Sequence, residues 1–192
     1  MITLGFDTSA SHCAAALWRD GSVVAQERET MKRGQAERLM GLLEEILAEQ
    51  SLNWSDLDAL GVGVGPGNFT GIRVAVSAAR GLALALDIPA IGVNRFDVIL
   101  AAFGDDALPC VAAPQDTVYV QDAPNAPELI SMEQAQGLGR SLKFEPEDFN
   151  PAPFIAQIAA ARCGLDLPRP APLYIKSADA APARDAPPRI IR

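Results

Sequence analysis

The sequence has few of the residues on which metal and thiol chemistry depend. Its 192 residues include one histidine, His12, and three cysteines, Cys13, Cys110 and Cys163, which are far apart and form no CxxC pair. One histidine cannot form a histidine metal cluster. Histidine-dependent catalysis would have to use His12, which lies within a predicted strand with Cys13 on the opposite face. We therefore interpret His12 as structural and the cysteines as free thiols in a reducing compartment.

Positive charge and long apolar runs are also scarce. The chain has 16 Lys and Arg against 24 Asp and Glu, a formal net charge of -8. Nonspecific nucleic-acid binding needs a basic surface, so the composition argues against it. The longest apolar tract, residues 72–86, is interrupted by Arg73 and Arg80 and is too short to span a bilayer comfortably. Because the start shows no signal-peptide pattern, we expect a cytoplasmic protein with no membrane partner.

Hydrophobic residues make up 49% of the chain, enough to bury the core of one sizeable domain or two small lobes. Asp20-Gly21 is typical of a two-residue hairpin turn between strands. Three antiparallel strands followed by alternating helices and strands predict an α/β fold, in the order of a ribonuclease-H-like lobe. The predicted strands are 2–6, 12–18, 22–28, 58–64 and 88–94, and the predicted helices are 35–50, 69–86 and 95–103.

The second half of the chain has a weaker pattern. Short strands are predicted at 108–114, 117–123 and 127–132, and an amphipathic helix at 154–164. Prolines crowd in after Leu167 and predict an extended end. We therefore divide the chain into an N-terminal ribonuclease-H-like lobe (1–104), a reduced second lobe (105–178) and a flexible Pro-rich tail (179–192).

Two predicted helices carry more apolar surface than one sheet can cover. The helix at 35–50 has an apolar arc wider than the usual stripe of roughly 100°. The helix at 69–86 has only two charges, Arg73 and Arg80, and is rich in small residues that allow close approach. We expect a helical neighbour from another chain to cover this surface, with burial inside the same lobe as the alternative. The predicted partner interface is Leu39, Leu42, Leu43, Ile46, Val74, Ala75, Ala78 and Leu82.

The string GVGVGPGNFTGIR joins the strand at 58–64 to the helix at 69–86. Gly65 and Gly67 force a turn, and Asn68 or Thr70 can cap the helix that follows. A helix N-terminus approached through glycines can bind an anion. The string is neither a Walker loop nor GxGxxG, so a turn that only shapes helix packing is an equal alternative.

Asp7-Thr8-Ser9, after the first strand, is a second candidate segment. A carboxylate at a strand end beside hydroxyl residues can position Mg²⁺ and phosphate, whereas the alternative is a carboxylate that only bonds the hairpin backbone. Together the two segments predict a residual nucleotide or anion site, with no catalytic residue and no metal ligand assigned. Its members are Asp7, Thr8, Ser9, Gly65, Gly67, Asn68 and Thr70.

Three strings resemble the TsaB (YeaZ) family: FDTSASHCAAAL, GVGVGPGNFTGIRVAVSAARGLALALDIPAIGV and PLYIKSADA. In that family GPGSFTGLR opens the long helix and P-x-Y-x-R/K stands near the C-terminus. The resemblance is strong over residues 1–95, moderate at 171–179 and poor between them. It implies an actin-like ATPase superfamily fold with two ribonuclease-H-like lobes, the second shortened.

The resemblance also implies a function. Family members are non-catalytic subunits of the bacterial machinery that installs N6-threonylcarbamoyladenosine at position 37 of tRNA. They pair with a TsaD-type catalytic subunit or with a second copy of themselves through the helices matching 35–50 and 70–86, and a TsaE-type ATPase joins them. The resemblance therefore implies no intrinsic cofactor, ATP or ADP at the partner interface, tRNA contact only through the complex, and a homodimer in isolation.

The sequence departs from the wider superfamily at several points. Active members usually have glycine after the first aspartate, where this chain has Thr8. The helix after Arg33 begins GQAERLM where relatives often carry a histidine, and PQDTVYV stands where the family commonly shows DARRGEVY. One rival hypothesis is a Mg²⁺-dependent ATPase or phosphotransferase that uses Asp7 and the loop from Gly65 to Gly71. The other is a stand-alone homodimer with no role in modification.

Overall fold

Two β-sheets organise the part of the chain that the computed structural model describes, residues 1–104 and 106–175. The first sheet has five strands in the order β3-β2-β1-β4-β5. The first three strands are antiparallel, and β4 and β5 run parallel to β1. This mixed order confirms the predicted α/β, ribonuclease-H-like fold. The strands are β1 (Ile2–Asp7), β2 (His12–Arg19), β3 (Ser22–Thr30), β4 (Ala59–Gly63) and β5 (Ala90–Val93).

Two helices cover one face of this sheet. Helix α1 (Gln35–Glu49) packs on β2 and β3, and α2 (Phe69–Leu86) packs on β4 and on α1. Side chains alternate along a strand, so Leu4 and Phe6 of β1 point into the core beneath these helices. Helix α2 is also the crossover between the parallel strands β4 and β5. Its position in the fold therefore follows from the sheet order.

The second sheet is smaller and has the strand order β8-β7-β6-β9. Its strands are β6 (Leu108–Ala113), β7 (Thr117–Val120), β8 (Glu128–Ser131) and β9 (Leu142–Lys143), and α3 (Arg95–Phe103) leads into it. The short helix α4 (Met132–Gly137), the strand β9 and a one-turn helix at Trp54–Asp56 were not predicted. Elements of two to six residues are too short to show a hydrophobic period, although Ser131 and Gln134 form a capping box at the start of α4.

The last helix, α5 (Ala152–Arg162), does not pack where its place in the sequence suggests. The sequence puts it in the segment 105–178, yet it packs on β1, β2 and β4 of the first sheet, on the face opposite α1 and α2. Gly5 of β1 and Gly61 of β4 lie directly beneath it, and their missing side chains let the helix backbone approach. The segment boundaries stay predictions, and the tail 179–192 lies outside the described residues.

The contact between α5 and the sheet gives a test. A Cβ on Gly5 would stand 2.5 Å from Ala156 N and 2.7 Å from Ala152 O, so Gly5→Ala must displace backbone. We expect it to lower the free energy of unfolding by about 1–3 kcal/mol. Gly81→Ala is the control, because nothing lies within 4 Å of that added Cβ and alanine favours a helix interior by up to about 1 kcal/mol.

Urea denaturation followed by circular dichroism measures both variants. The expected result is a lower midpoint for Gly5→Ala and an equal or higher midpoint for Gly81→Ala. A Gly5→Ala protein as stable as the parent would contradict the close packing of α5 on the first sheet.

Candidate functional site

Asp7 ends β1 and is almost fully buried, with 1% of its surface exposed. Its Oδ2 accepts hydrogen bonds from Ser9 N at 3.1 Å and Ser9 Oγ at 2.9 Å, and lies 2.6 Å from Nε2 of His12. The bond from Ser9 N is the one expected under the alternative in which Asp7 only bonds the hairpin backbone. The direct contact between Asp7 and His12 was not predicted. The β1–β2 turn brings the two side chains together.

The environment of Asp7 keeps its carboxylate ionised. Burial raises the pKa of Asp7, but the hydrogen bond and charge of His12, the charge of Arg95 and the bond from Ser9 lower it, and the net pKa lies below the ordinary value of 3.8. By contrast, burial raises the pKa of the Cys13 thiol to about 12. Asp7 therefore acts as a fixed negative charge, and Cys13 is not a thiolate nucleophile.

The β1–β2 turn interlocks with the glycine loop before α2. Thr8 Oγ1 donates to Gly71 O at 2.6 Å, and Asn68 N donates to Ser9 O at 2.6 Å. A Cβ on Gly71 would stand 1.9 Å from Thr8 O, and one on Gly67 would stand 2.3 Å from Ser9 O. Glycine is therefore needed at both positions, because the turn backbone lies directly against the loop.

The same contacts bear on the predicted anion site. The structure brings Asp7, Thr8 and Ser9 against the loop, where Asn68 caps α2 by accepting from Gly71 N at 2.9 Å. The carbonyl oxygens of Ser9 and Thr8 lie against Gly67 and Gly71, respectively, and carbonyl oxygens repel an anion. Gly65 turns the chain with φ +92°. Thr70 is exposed and makes none of the contacts between the turn and the loop described above. This geometry favours the packing alternative, and nucleotide binding stays a prediction.

The residues around Asp7 do not fit a hydrated Mg²⁺ ion. Mg²⁺ usually keeps several waters in a near-octahedral shell, which needs space. Asp7 is buried and its Oδ2 already has three partners. Its Oδ1 has no hydrogen-bond partner among the described residues, but it faces Gly63, where an added Cβ would stand 1.9 Å away, so there is no room for a hydrated ion. In the described ranges, no three His, Cys, Asp or Glu side chains come together as a metal-binding group.

Arg95, at the start of α3, ties the glycine loop to the second half of the chain. Its backbone N donates to Gly65 O at 2.9 Å, and its Nη1 donates to Pro66 O at 3.3 Å. The guanidinium also forms an ion pair with Glu145, whose side chain is 7% exposed in the connection between β9 and α5. Sequence reasoning missed this pair, because 50 residues separate its members and no short motif contains both.

The structure buries five of the eight residues that were predicted to contact a partner. Within the chain these five are between 0 and 2% exposed, so the prediction that they form an outer surface does not fit their burial. The sheet and α2 cover the wide apolar arc of α1, which is the internal alternative stated above. The other three, on α2, are half-buried. The buried set is Leu39, Leu42, Leu43, Ile46 and Ala75, and the half-buried set is Val74, Ala78 and Leu82.

Helix α2 retains a broad apolar surface that the described residues cover only in part. Only 28% of its 18 residues are buried, and Leu84 is 86% exposed. By length and composition α2 could cross a membrane, a test that core helices of soluble proteins also pass. Its buried side packs on the sheet as the crossover from β4 to β5. We define the α2 face as Val74, Ser77, Ala78, Gly81, Leu82, Leu84 and Ala85.

Comparisons with known proteins identify the family. The family model for TsaD, tRNA N6-adenosine threonylcarbamoyltransferase, matches residues 23–177. The tRNA threonylcarbamoyladenosine biosynthesis protein TsaB of Escherichia coli is 39% identical over 94 residues, which are 49% of this chain and 40% of that protein. TsaB of Haemophilus influenzae is 34% identical over 121 residues, 60% of this chain and 51% of that protein. The chain belongs to the TsaB (YeaZ) family.

The alignments with these curated TsaB proteins span about half of their length. An uncharacterized protein of Mycobacterium tuberculosis is 32% identical over 93% of both chains. The solved structure of YeaZ from Pseudomonas aeruginosa has a TM-score of 0.67 and 23% identity, over 84% of this chain and 92% of that one. This structural likeness shows that the two chains share a fold.

The buried Asp7 carboxylate predicts a specific dependence of stability on pH. Because its pKa in the folded chain lies below 3.8, its ionised form stabilises the fold above about pH 4, and this contribution is lost as the pH falls through the folded pKa. Asp7→Asn should lower the free energy of unfolding by about 1–3 kcal/mol at neutral pH, since the donors of Ser9 and His12 lose a charged acceptor.

Urea denaturation of both proteins between about pH 7 and pH 3 measures the difference. The difference in the free energy of unfolding between wild type and Asp7→Asn should shrink as the wild-type carboxylate becomes protonated. Glu44→Gln, at an exposed position on α1, is the control and should differ little from wild type at any pH. A difference for Asp7→Asn that stays constant down to pH 3 would refute the lowered pKa.

Proposed function

We propose that this chain is a non-catalytic subunit of the machinery for N6-threonylcarbamoyladenosine at position 37 of tRNA. It would bind a TsaD-type catalytic subunit through the α2 face and the adjoining exposed surface of α1. The observation that carries this proposal is the α2 face itself, an apolar helix surface left uncovered by its own fold. Contiguous exposed apolar surface of this kind marks an interaction site.

The composition of the α2 face suits a second helix. Its small residues Ser77, Ala78, Gly81 and Ala85 allow close backbone approach, while Leu84 projects from the surface. On α1, Met40 is an apolar side chain that is 39% exposed. Such a pair of helices, with small residues and one large anchor, can pack against a matching pair from another subunit.

The family match supports a TsaD-type subunit as the partner. The model that matches residues 23–177 is that of TsaD, so the partner would share this fold and carry corresponding helices. Two related chains can then pair through equivalent surfaces, as the two copies in a symmetric dimer do. In this proposal the chain is cytoplasmic and self-associates when the partner is absent. A TsaE-type ATPase joins the pair, ATP or ADP binds at the partner interface, and tRNA is contacted only through the complex.

The geometry around Asp7 supports a scaffold role over the alternative ATPase or phosphotransferase. Phosphoryl transfer depends on positioned metal ions and cations around the phosphates. Here the carboxylate is bonded to Ser9 and His12, and the nearby cation Arg95 is paired with Glu145. If the purified chain hydrolyses ATP with Mg²⁺ and Asp7→Asn abolishes that turnover, the enzymatic alternative replaces this proposal.

Charge substitutions in the α2 face test the proposed binding. Ala78→Glu should weaken binding to the TsaD-type subunit of the same organism by several kcal/mol, because the interface would bury an unpaired charge. Leu84→Glu should act in the same direction with little effect on folding, since Leu84 is 86% exposed in the free chain. Isothermal titration calorimetry measures both affinities.

Leu138→Glu is the matched control, because Leu138 is an exposed leucine after α4, outside the α2 face. It should bind like the parent chain. The proposal fails if folded Ala78→Glu and Leu84→Glu proteins bind the catalytic subunit with unchanged affinity.

A further inference from the structure

Two of the sequence strings that resemble the family meet at one exposed cluster. Phe69 and Arg73 come from the string that opens α2, and Tyr174 comes from PLYIK, more than a hundred residues later. The rings of Phe69 and Tyr174 stack with centroids 5.2 Å apart. Arg73 lies over the Phe69 ring, with Cζ 3.7 Å from its centroid, and its Nε donates to Tyr174 Oη at 2.8 Å.

The chain holds Tyr174 at this surface through its two neighbours. Leu173 N donates to Val64 O at 2.8 Å, and the side chains of Leu173 and Ile175 pack against buried apolar residues near α3 and the second sheet. In an extended segment alternate side chains face opposite sides, so Tyr174 points outward onto α2. The position of its ring is therefore fixed by buried contacts on both sides.

This cluster contributes little to the core. Phe69 and Tyr174 are each 46% exposed, and Arg73 is also exposed. Stacked exposed aromatics leave apolar surface in contact with water unless a ligand covers them. The exposed ring faces of Phe69 and Tyr174 therefore offer apolar surface that a binding partner could cover.

Arg73 also has no acidic partner among the residues that the structure describes. Of the ten arginines in the described residues, Arg38, Arg95, Arg140 and Arg162 pair with carboxylates, and Arg73 is one of the six that do not. The residues of α2 include no Asp or Glu. Arg73 Nε donates to Tyr174 Oη, and this bond orients the guanidinium. Its two Nη groups can then donate to a second acceptor.

We propose that Phe69, Arg73 and Tyr174 form a docking point for an Asp or Glu side chain of the protein that covers the α2 face. This inference rests on the proposed function and specifies the chemistry of the partner surface. The Nη groups would donate to the carboxylate, and the two rings would provide flat apolar contact around it. Arginine and tyrosine are the residue types that contribute most often to binding energy at protein interfaces.

A carboxylate suits the cluster better than the phosphates of RNA. The cluster holds one cation, and the chain has a net charge of -8, whereas RNA binding usually depends on several cations along the backbone. One oriented guanidinium that two rings partly shield from water matches one planar carboxylate. The apolar and basic character of α2 also contrasts with the acidic chain as a whole, which favours a partner surface with acidic groups at its edge.

The test compares Arg73 with an exposed arginine outside α2, Arg140. Arg73→Gln should weaken binding to the TsaD-type subunit at least tenfold, and Arg73→Lys should restore only part of it, because lysine keeps the charge without the planar fork. Tyr174→Phe should weaken binding about two- to fivefold, since it removes the acceptor that orients Arg73. Arg140→Gln, an exposed arginine after α4 and away from α2, is the matched control and should change affinity less than twofold.

Salt dependence gives a second measurement. The affinity of the parent chain should fall more steeply with ionic strength than that of Arg73→Gln, because one charge pair is absent from the variant. Thermal unfolding of each variant verifies that the fold is intact. Equal effects of Arg73→Gln and Arg140→Gln, or no effect of either, would overturn the docking point.

The outcomes separate this inference from the function on which it rests. If Ala78→Glu abolishes partner binding while Arg73→Gln leaves it unchanged, the proposed function stands and the docking point fails. If Ala78→Glu, Leu84→Glu and Arg73→Gln all bind normally, both fail. If Arg73→Gln binds the protein partner normally but loses binding of fluorescent ADP or labelled tRNA, the cluster recognises phosphate and the carboxylate assignment is wrong.

Discussion

The close contact between the β1–β2 turn and the glycine loop determines how α2 lies on the first sheet. Thr8 and Ser9 place their carbonyl oxygens where side chains on Gly71 and Gly67 would stand, and Asn68 caps the helix from the same loop. These bonds fix the start of α2 on the first sheet. Because the start is fixed, one side of α2 stays buried and the other stays available along its whole length.

Sequence patterns gave the first sheet and its helices well, because those elements are long and periodic. They also identified α2 as too apolar to remain uncovered. They failed on α1, whose wide apolar arc seemed to require a second chain. A helical wheel gives the width of such an arc but not the number of neighbours around it, and here the sheet and α2 bury Leu39, Leu42 and Ile46.

The polar contacts were harder to predict, since they join distant parts of the chain. The Arg95–Glu145 pair and the Arg73–Tyr174 bond link residues that are 50 and 101 positions apart, and neither lies within one motif. The first contact forms when folding brings the β9–α5 connection to the glycine loop. The second forms when folding brings the segment before Ile175 to α2. Both contacts meet the same end of α2, so the second half of the chain helps to fix the surface that we propose for binding.

In the proposed function a second protein covers the outer surface of α2. Hydrogen–deuterium exchange of the full chain, alone and mixed with the TsaD-type subunit of the same organism, tests it most directly. We expect exchange to slow on complex formation in peptides from residues 69–86 and to change little in peptides from the second sheet. Complex formation with unchanged exchange in residues 69–86, or with slowing confined to the second sheet, would contradict it.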